Sequence, residues 1–157
     1  MAEVRIDPMS EAREAAGWAH QAEAELASAG YRRGAARRAV LELLGRQRCA
    51  LSAFDIEDAL RDQSRSVARA SIYRILDQLE RLSLVQRVET GQGVVRYEPV
   101  RQDHEHHHHL VCDRCGRLVP FTDADLERAI GRLSRRVAFD VSDHDVVLHG
   151  ACATCSR

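Results

Sequence analysis

The feature that most constrains this chain is a pair of Cys-x-x-Cys motifs separated by 36 residues. Two intervening residues let both thiolates of a pair turn onto one metal ion, and two such pairs complete the tetrahedral sulfur set that zinc prefers. Two disulfides or a thioredoxin-like redox pair are the alternatives, although neither explains two pairs at opposite ends of one segment. One structural zinc ion is therefore predicted on Cys112, Cys115, Cys152 and Cys155. The fifth cysteine, Cys49, stands apart and is predicted to be a partly buried thiol.

Five histidines in six residues, from His104 to His109, directly precede the first cysteine pair. An affinity tag would stand at a terminus, whereas this run is internal and continues into Leu-Val-Cys. In a β-strand, alternate side chains point to opposite faces. His106 and His108 would then share one face, while His107 shares the other with His109. The run therefore predicts two ligands for each of two separate metal sites.

Each histidine pair needs ligands from elsewhere in the chain. Glu127 lies at the rim of the apolar stripe of a predicted C-terminal helix, and His144 stands between two aspartates in the last predicted strand. Glu98 ends a predicted hairpin strand. Each also fits a simpler interpretation, as a solvated carboxylate or a surface histidine, and the pattern alone leaves this open.

Apolar residues at helical spacing predict four helices in the first half of the chain. Ser10 is expected to cap the first helix, and Gly30 and Gly45 to end the first and second. The third is expected to begin at Ser52 in a capping box and to bury Phe54 with Ile56, Ala59 and Leu60. The first, second and fourth helices are predicted over residues 10–29, 35–44 and about 67–82.

The pattern then changes to β-rich runs, and a Thr-Gly-Gln-Gly turn predicts a hairpin of residues 84–89 with 94–98. Helices followed by a hairpin are typical of a winged helix-turn-helix. The remainder predicts a small α/β domain with strands at 106–112, 117–121 and 139–149 and a helix at about 123–137. The fold class is therefore α+β, with one domain over residues 1–99, a hinge over 100–103 and a second domain over 104–157.

Charge is distributed unevenly, although the net charge is only −1. Residues 30–101 hold fourteen Arg against nine acidic residues, whereas residues 1–29 and 102–157 are acidic. A basic middle segment points to an anionic partner, with an unevenly charged solvated surface as the simpler alternative. No apolar run approaches the ~20 residues of a membrane span, and no signal peptide opens the chain. The protein is therefore expected to be cytoplasmic, with no membrane partner.

From about residue 26 onward, the motifs together resemble the ferric uptake regulator (Fur) family of metalloregulators, most closely its zinc-sensing Zur branch. The likeness is carried by Leu51-Ser52-Ala53-x-Asp55, Ala70-Ser71-Ile72-Tyr73-Arg74-Ile75-Leu76, Arg96-Tyr97-Glu98, the histidine run leading into Cys112-x-x-Cys115-Gly116, and the terminal Cys152-x-x-Cys155. The resemblance implies an N-terminal DNA-binding domain and a C-terminal dimerisation domain. It also implies a homodimeric repressor of metal-uptake genes that binds palindromic operator DNA when metal-loaded and dissociates when depleted.

The resemblance assigns the candidate ligands to three metal sites. The structural zinc falls on the four paired cysteines. An interior regulatory site falls on His106, His108, Glu127 and His144, and a second, hinge site falls on Glu98, His107 and His109. Zinc is the expected regulatory metal, with iron as the alternative.

The fourth predicted helix would be the recognition helix. The resemblance implies that Tyr73 and Arg74 reach DNA and that Arg32 resembles a basic residue used near the minor groove. Arg69 and Ser71 share the outward face of the same helix, although an ordinary charged face is the alternative. Gly34 stands where the family has a capping Thr, which is expected to weaken the start of the second helix slightly.

A zinc metalloenzyme is the alternative of a different class, since histidines and glutamates also hold catalytic zinc. The chain has no His-Glu-x-x-His motif, and closed ligand sets leave no open position for a substrate. A redox or peroxide sensor on the same fold is a further alternative, but the carboxylate ligands that such sensors favour are scarce. A non-enzymatic, zinc-responsive repressor is therefore the expected function, ahead of an iron-responsive regulator.

Overall fold

The computed structural model of the chain describes residues 8–47, 49–91, 93–101 and 107–156. The chain divides into two compact units, Met1–His104 and Glu105–Arg157. Two histidines of the run, His104 and the predicted ligand His106, lie outside the described residues. Within the described ranges, no helix combines the length and apolar character that a bilayer crossing demands.

The first unit combines four helices with a three-stranded sheet. In chain order its elements are α1 (Pro8–Ser28), α2 (Ala35–Arg46), β1 (Leu51–Ser52), α3 (Ala53–Asp62), α4 (Arg69–Arg81), β2 (Val85–Glu89) and β3 (Val95–Pro99). β3 is central and pairs antiparallel with both β1 and β2. The hairpin predicted between β2 and β3 is confirmed, and Gly91 and Gly93 in its turn adopt positive φ angles of 74° and 72°. The two-residue β1 was not predicted.

Leucine and isoleucine side chains from the helices form the core of this unit. Ile56, Leu60, Ile72 and Leu76 are fully buried, as the helical spacing predicts. Each such side chain contributes about 1.5–3 kcal/mol through removal of apolar surface from water. Trp18 of α1 packs at the edge of this core, and its indole Nε1 donates to the carbonyl of Val100 at 3.1 Å. The core and this bond hold the end of the β3 segment against α1.

The start of α3 follows the capping pattern in the sequence. The Ser52 hydroxyl accepts from the Asp55 backbone N–H at 3.1 Å, and the Asp55 carboxylate accepts from the Ser52 N–H at 2.9 Å. The same carboxylate forms an ion pair with Arg96 of β3 at 2.8 Å, which joins the helix start to the sheet. At α2, by contrast, Gly34 provides no side-chain cap, as predicted.

The second unit is a three-stranded sheet with one helix. Its elements are β4 (His108–Cys112), β5 (Leu118–Phe121), α5 (Ala124–Val137) and β6 (Val147–Gly150). β4 is central, antiparallel to β5 and parallel to β6. Asp123 caps α5 by accepting from the Leu126 N–H at 2.8 Å. Together the two units confirm the predicted α+β class.

Two helix ends differ from the prediction. α1 begins at Pro8, so Ser10 lies inside the helix and is not its N-cap; proline suits the first turn because that turn needs no N–H donor. α2 continues through Gly45 to Arg46. Its final carbonyls are satisfied by the Arg101 guanidinium, which donates to the carbonyls of Gly45 and Gln47 at 2.8 and 3.1 Å. Gly45 is therefore not the end of this helix.

Two further predictions are wrong in detail. Phe54 was expected in the core, but its side chain is 54% exposed at the start of α3. The last strand was expected over residues 139–149, but only Val147–Gly150 is strand. Within the described residues, β4 pairs with those four residues alone, from His109 opposite Val147 to Cys112 opposite Gly150. A strand cannot form where no neighbouring strand accepts its hydrogen bonds.

Candidate metal centres and nucleic-acid surface

The four paired cysteines meet at one edge of the second sheet. β4 and β6 run parallel with Cys112 opposite Gly150, so the residues that follow both strands emerge at the same edge. Each pair forms a tight turn: the Gly116 N–H donates to the Cys112 carbonyl at 2.8 Å, and the Cys155 N–H donates to the Cys152 carbonyl at 2.8 Å. The four Sγ atoms lie within 4.8 Å of one another. The sheet topology thus explains why two distant motifs converge.

The sulfur geometry fits a tetrahedral zinc ion. Zn–S bonds of about 2.3 Å require sulfur–sulfur separations of about 3.8 Å in a regular tetrahedron. The Sγ atoms of Cys115 and Cys152 are 3.8 Å apart. This separation is far longer than the disulfide bond length of about 2.05 Å, and the five cysteines are free thiols.

The electrostatics of this cluster also favour a bound cation. Hydrogen bonds from the backbone N–H groups of Cys152 and Cys115 lower the pKa of the Cys112 thiol to about 6. The neighbouring side chains of Cys152 and Cys115, by contrast, raise the pKa of the Cys155 thiol to about 12. Four crowded sulfurs cannot all ionise unless a positive charge lies among them. Cys49 is not part of this cluster, and burial raises the pKa of its thiol.

A second cluster joins three elements of the second unit. His108 Nε2 lies 2.7 Å from Glu127 Oε1, and His144 Nε2 lies 3.0 Å from Glu127 Oε2. His108 opens β4 and is fully buried, Glu127 lies in the first turn of α5, and His144 precedes β6. Two imidazole nitrogens and one carboxylate, with ligand atoms within 4.8 Å of one another, form a donor set suited to zinc or ferrous iron. The structure thus brings together three of the four predicted interior ligands; His106 lies outside the described residues.

His107 and His109 contact each other through their rings, whose centroids are 4.9 Å apart in an edge-to-face arrangement. His108 instead contacts Phe121 and His144, with ring centroids 5.4 Å away in both cases. Neighbouring histidines of the run therefore have different surroundings, in agreement with the alternation of a strand. Glu98 is buried in the first unit, where its carboxylate accepts a hydrogen bond from Gln86. The predicted set of Glu98, His107 and His109 stays a prediction.

The predicted DNA-contacting residues lie on α4 and on the segment before α2. Tyr73 and Arg74 are exposed, and Ser71 accepts a hydrogen bond from Arg74 Nη2 at 3.4 Å. Arg32 is exposed between α1 and α2. Their participation in DNA binding stays a prediction.

Two charged side-chain pairs were not predicted from the sequence. Arg69 forms an ion pair with Glu57 of α3 and stacks over the ring of Phe54 at 5.0 Å. Beside the cysteines, His149 Nδ1 lies 3.0 Å from Asp113 Oδ1. Neither pair has a motif, because the partners are twelve and 36 residues apart and belong to different elements.

Comparison with known proteins gives consistent matches over most of the chain. Residues 28–149 match the ferric uptake regulator family. The ferric uptake regulation protein of Legionella pneumophila is 34% identical, with 83% of this chain and 96% of the relative covered. The crystal structure of the Vibrio cholerae ferric uptake regulator is 29% identical with a TM-score of 0.72, covering 81% of this chain and 96% of that one. A structure of a zinc uptake regulator complexed with zinc and DNA is 28% identical with a TM-score of 0.54, covering 90% and 95%.

Similarity of this extent identifies the class, a metal-responsive regulator of transcription and not an enzyme. The chain belongs to the ferric uptake regulator family. The predicted family and the predicted absence of enzymatic activity are thereby confirmed.

Proposed function

We propose that this regulator is a zinc-responsive repressor that binds operator DNA as a homodimer when metal-loaded, controls metal-uptake genes and acts in the cytoplasm. The observation that carries the proposal is the convergence of His108, Glu127 and His144. Each oxygen of one carboxylate faces a different imidazole nitrogen, at 2.7 and 3.0 Å. The three residues come from β4, α5 and the segment before β6, so one ligand set couples three elements.

The chemistry of this set favours a borderline metal. Imidazole nitrogen suits zinc and ferrous iron, whereas magnesium and calcium prefer oxygen alone. A bound cation would be coordinated jointly by His108, Glu127 and His144. His106 completes the proposed set as a fourth ligand, and Glu98, His107 and His109 form the proposed second regulatory site. Likeness to a zinc uptake regulator complexed with zinc and DNA supports zinc.

The four clustered cysteines are proposed to hold a separate, structural zinc ion. Their sulfur spacing matches the tetrahedral ion, and four thiolates leave no position open for exchange with solvent. This ion would tie the end of β4 to the C-terminal turn. Its role is therefore to stabilise the second unit, while the histidine sites respond to metal supply.

DNA binding is proposed for α4, preceded by α3 in a helix-turn-helix, with the β2–β3 hairpin as a wing. The buried face of α4 is apolar and holds the helix on the core, which leaves its polar face exposed. A helix presented in this way can enter the major groove, and arginine side chains can reach base edges and phosphates. The proposed contacts are Arg32, Arg69, Ser71, Tyr73 and Arg74.

A homodimer is proposed from the exposed apolar surface of the second unit. Leu133, Val137, Phe139 and Leu148 are 47–67% exposed, and α5 buries none of its residues within the described chain. Exposed apolar side chains concentrated in one small unit are typical of a surface that a partner covers. A second copy would cover this surface and would supply the two-fold symmetry that palindromic operators match.

Metal analysis combined with DNA binding tests the proposal. Protein purified without chelators is analysed for metal content, stripped of exchangeable metal, and reloaded separately with zinc, ferrous iron under anaerobic conditions, or manganese. Binding is then measured on a duplex selected from a random pool with the metal-loaded protein. Zinc should restore tight binding at the lowest free metal concentration. Restoration by ferrous iron alone would instead favour an iron-responsive regulator, a candidate supported by similarity to ferric uptake regulation proteins.

A further inference from the structure

Arg69 is held in place by two residues of the preceding helix. Its Nε and Nη2 donate to Glu57 Oε2 at 2.7 and 2.5 Å, and its guanidinium carbon lies 5.0 Å from the centroid of the Phe54 ring. The Arg69 side chain nevertheless remains 49% exposed. A long, flexible side chain at the surface is thus restricted to one orientation by an ion pair on one side and an aromatic ring on another.

The stability of α4 does not explain why an arginine occupies its first position. Arg69 is the first residue of the helix, where the macrodipole disfavours positive charge. The first turn contains no acidic residue, and Ala68 provides no side-chain cap. Glu57, on α3, supplies the negative charge that offsets the arginine. The arrangement therefore maintains a cation at the N-terminus of a helix whose macrodipole disfavours positive charge there.

We propose that Glu57 is a positioning residue, which orients Arg69 to bind a phosphate of the DNA backbone. This inference rests on the proposed function, in which α4 faces DNA. Glu57 engages the Nε–Nη2 side of the planar guanidinium, so the Nη1 end is directed away from the carboxylate. A fixed guanidinium loses less conformational entropy on binding a phosphate than a mobile one. The opposing hypothesis is that Glu57 neutralises Arg69 and keeps it from DNA.

A double-mutant cycle distinguishes the two hypotheses, because they predict effects of opposite sign for Glu57→Gln on DNA affinity. Affinities of zinc-loaded wild type, Glu57→Gln, Arg69→Ala and the double variant are measured on a selected duplex and on random duplex. In the presence of Arg69, Glu57→Gln should weaken binding about fivefold on both duplexes, because a phosphate contact carries no sequence information. In the Arg69→Ala background the same substitution should leave binding unchanged or strengthen it slightly, since only an acidic charge is lost. Arg69→Ala alone should reduce the salt slope by about one.

Glu42→Gln is the matched control, because Glu42 of α2 forms a comparable ion pair with Arg65 at 2.6 Å and Arg65 is not a proposed DNA contact. It should not weaken binding. Stronger binding of Glu57→Gln than of wild type, an equal effect of the substitution in both backgrounds, or a loss shared with Glu42→Gln would overturn the inference. Arg74→Ala is the internal reference for α4. If Arg74→Ala binds DNA more weakly than wild type but Glu57→Gln binds as wild type does, only the positioning role fails. If zinc-loaded wild type binds no duplex, the proposed function fails.

Discussion

Arg74 is the residue whose proposed role depends most directly on its exposure. It lies on the polar face of α4 with Tyr73, while Ile72 and Ile75 on either side are buried and fix the rotation of the helix. The backbone therefore has no freedom to turn Arg74 into the core. An arginine held at the surface of a proposed recognition helix can bind guanine through two hydrogen bonds.

We expect Arg74→Ala to cost about 1–3 kcal/mol of affinity for a selected operator if the residue contacts a base. Equal losses on operator and random duplex, with a salt slope lower by about one, would indicate a phosphate contact instead. Arg81→Ala is the control, since Arg81 occupies the last turn of the same helix in an ion pair with Asp77. Unchanged binding of Arg74→Ala to both duplexes would remove this residue from the interface.

The sequence predicted the placement of residues that belong to a local pattern. It did not predict contacts between residues that are far apart in the chain. The cysteine spacing predicted the cluster of four thiols, and strand alternation predicted that His108 and His109 have different surroundings. Glu127 and His144 had ordinary alternatives until the fold brought their atoms within hydrogen-bonding distance. Glu57 had no signal, because its importance comes from a contact between α3 and α4.

At the scale of elements, the two cysteine turns are expected to stabilise the second unit through one zinc ion. Cys112→Ser should remove one equivalent of zinc and destabilise this unit, because an incomplete thiolate set binds the ion weakly. Cys49→Ser is the control, since Cys49 is not among the clustered thiols. Zinc content by mass spectrometry and thermal unfolding give the readout. Full zinc content and an unaltered melting temperature in Cys112→Ser would contradict the assignment.

The cysteine cluster should also stabilise the second unit less as the pH falls. The pKa of Cys112 is lowered from 9.0 to about 6, chiefly by the Cys152 N–H. A thiolate with a depressed pKa stabilises the folded state fully above its unfolded value, and this contribution disappears as the pH falls through about 6. Without zinc, we expect the melting temperature to fall as the pH decreases from about 9 to about 6, measured by thermal unfolding of chelator-treated protein across a pH series. A melting temperature that rises as the pH falls over this range would contradict this direction.

Element boundaries were less predictable than element types. The period of apolar residues placed all four helices and the hairpin, and the capping box placed the start of α3. Gly45 was expected to end α2, but Arg101 of a distant segment binds the final carbonyls, and the helix continues through Gly45 to Arg46. The last strand was predicted too long because its length depends on how many residues β4 can pair with. Such limits are set by tertiary contacts, which a local pattern does not contain.

At the scale of the whole molecule, the exposed apolar surface of the second unit predicts self-association. Phe139→Glu should weaken the homodimer strongly without unfolding the chain, because this side chain is 67% exposed. Val94→Glu, at a 42% exposed position of the first unit, is the matched control and should leave association unaltered. Sedimentation equilibrium gives the dissociation constants. A monomeric wild type, or equal effects of the two substitutions, would contradict the proposed interface.

Zinc bound at the His108–Glu127–His144 cluster is proposed to control DNA binding. The measurement that tests it most directly is DNA affinity across a series of buffered free-zinc concentrations, for wild type and His108→Ala. The control is His20→Ala, an exposed histidine of α1. Wild type and His20→Ala should gain affinity at the same free zinc concentration. His108→Ala should need at least tenfold more, equivalent to about 1.4 kcal/mol, while it retains the cysteine-bound zinc. Identical zinc dependence of all three proteins, or DNA binding by wild type that does not depend on zinc, would contradict the account.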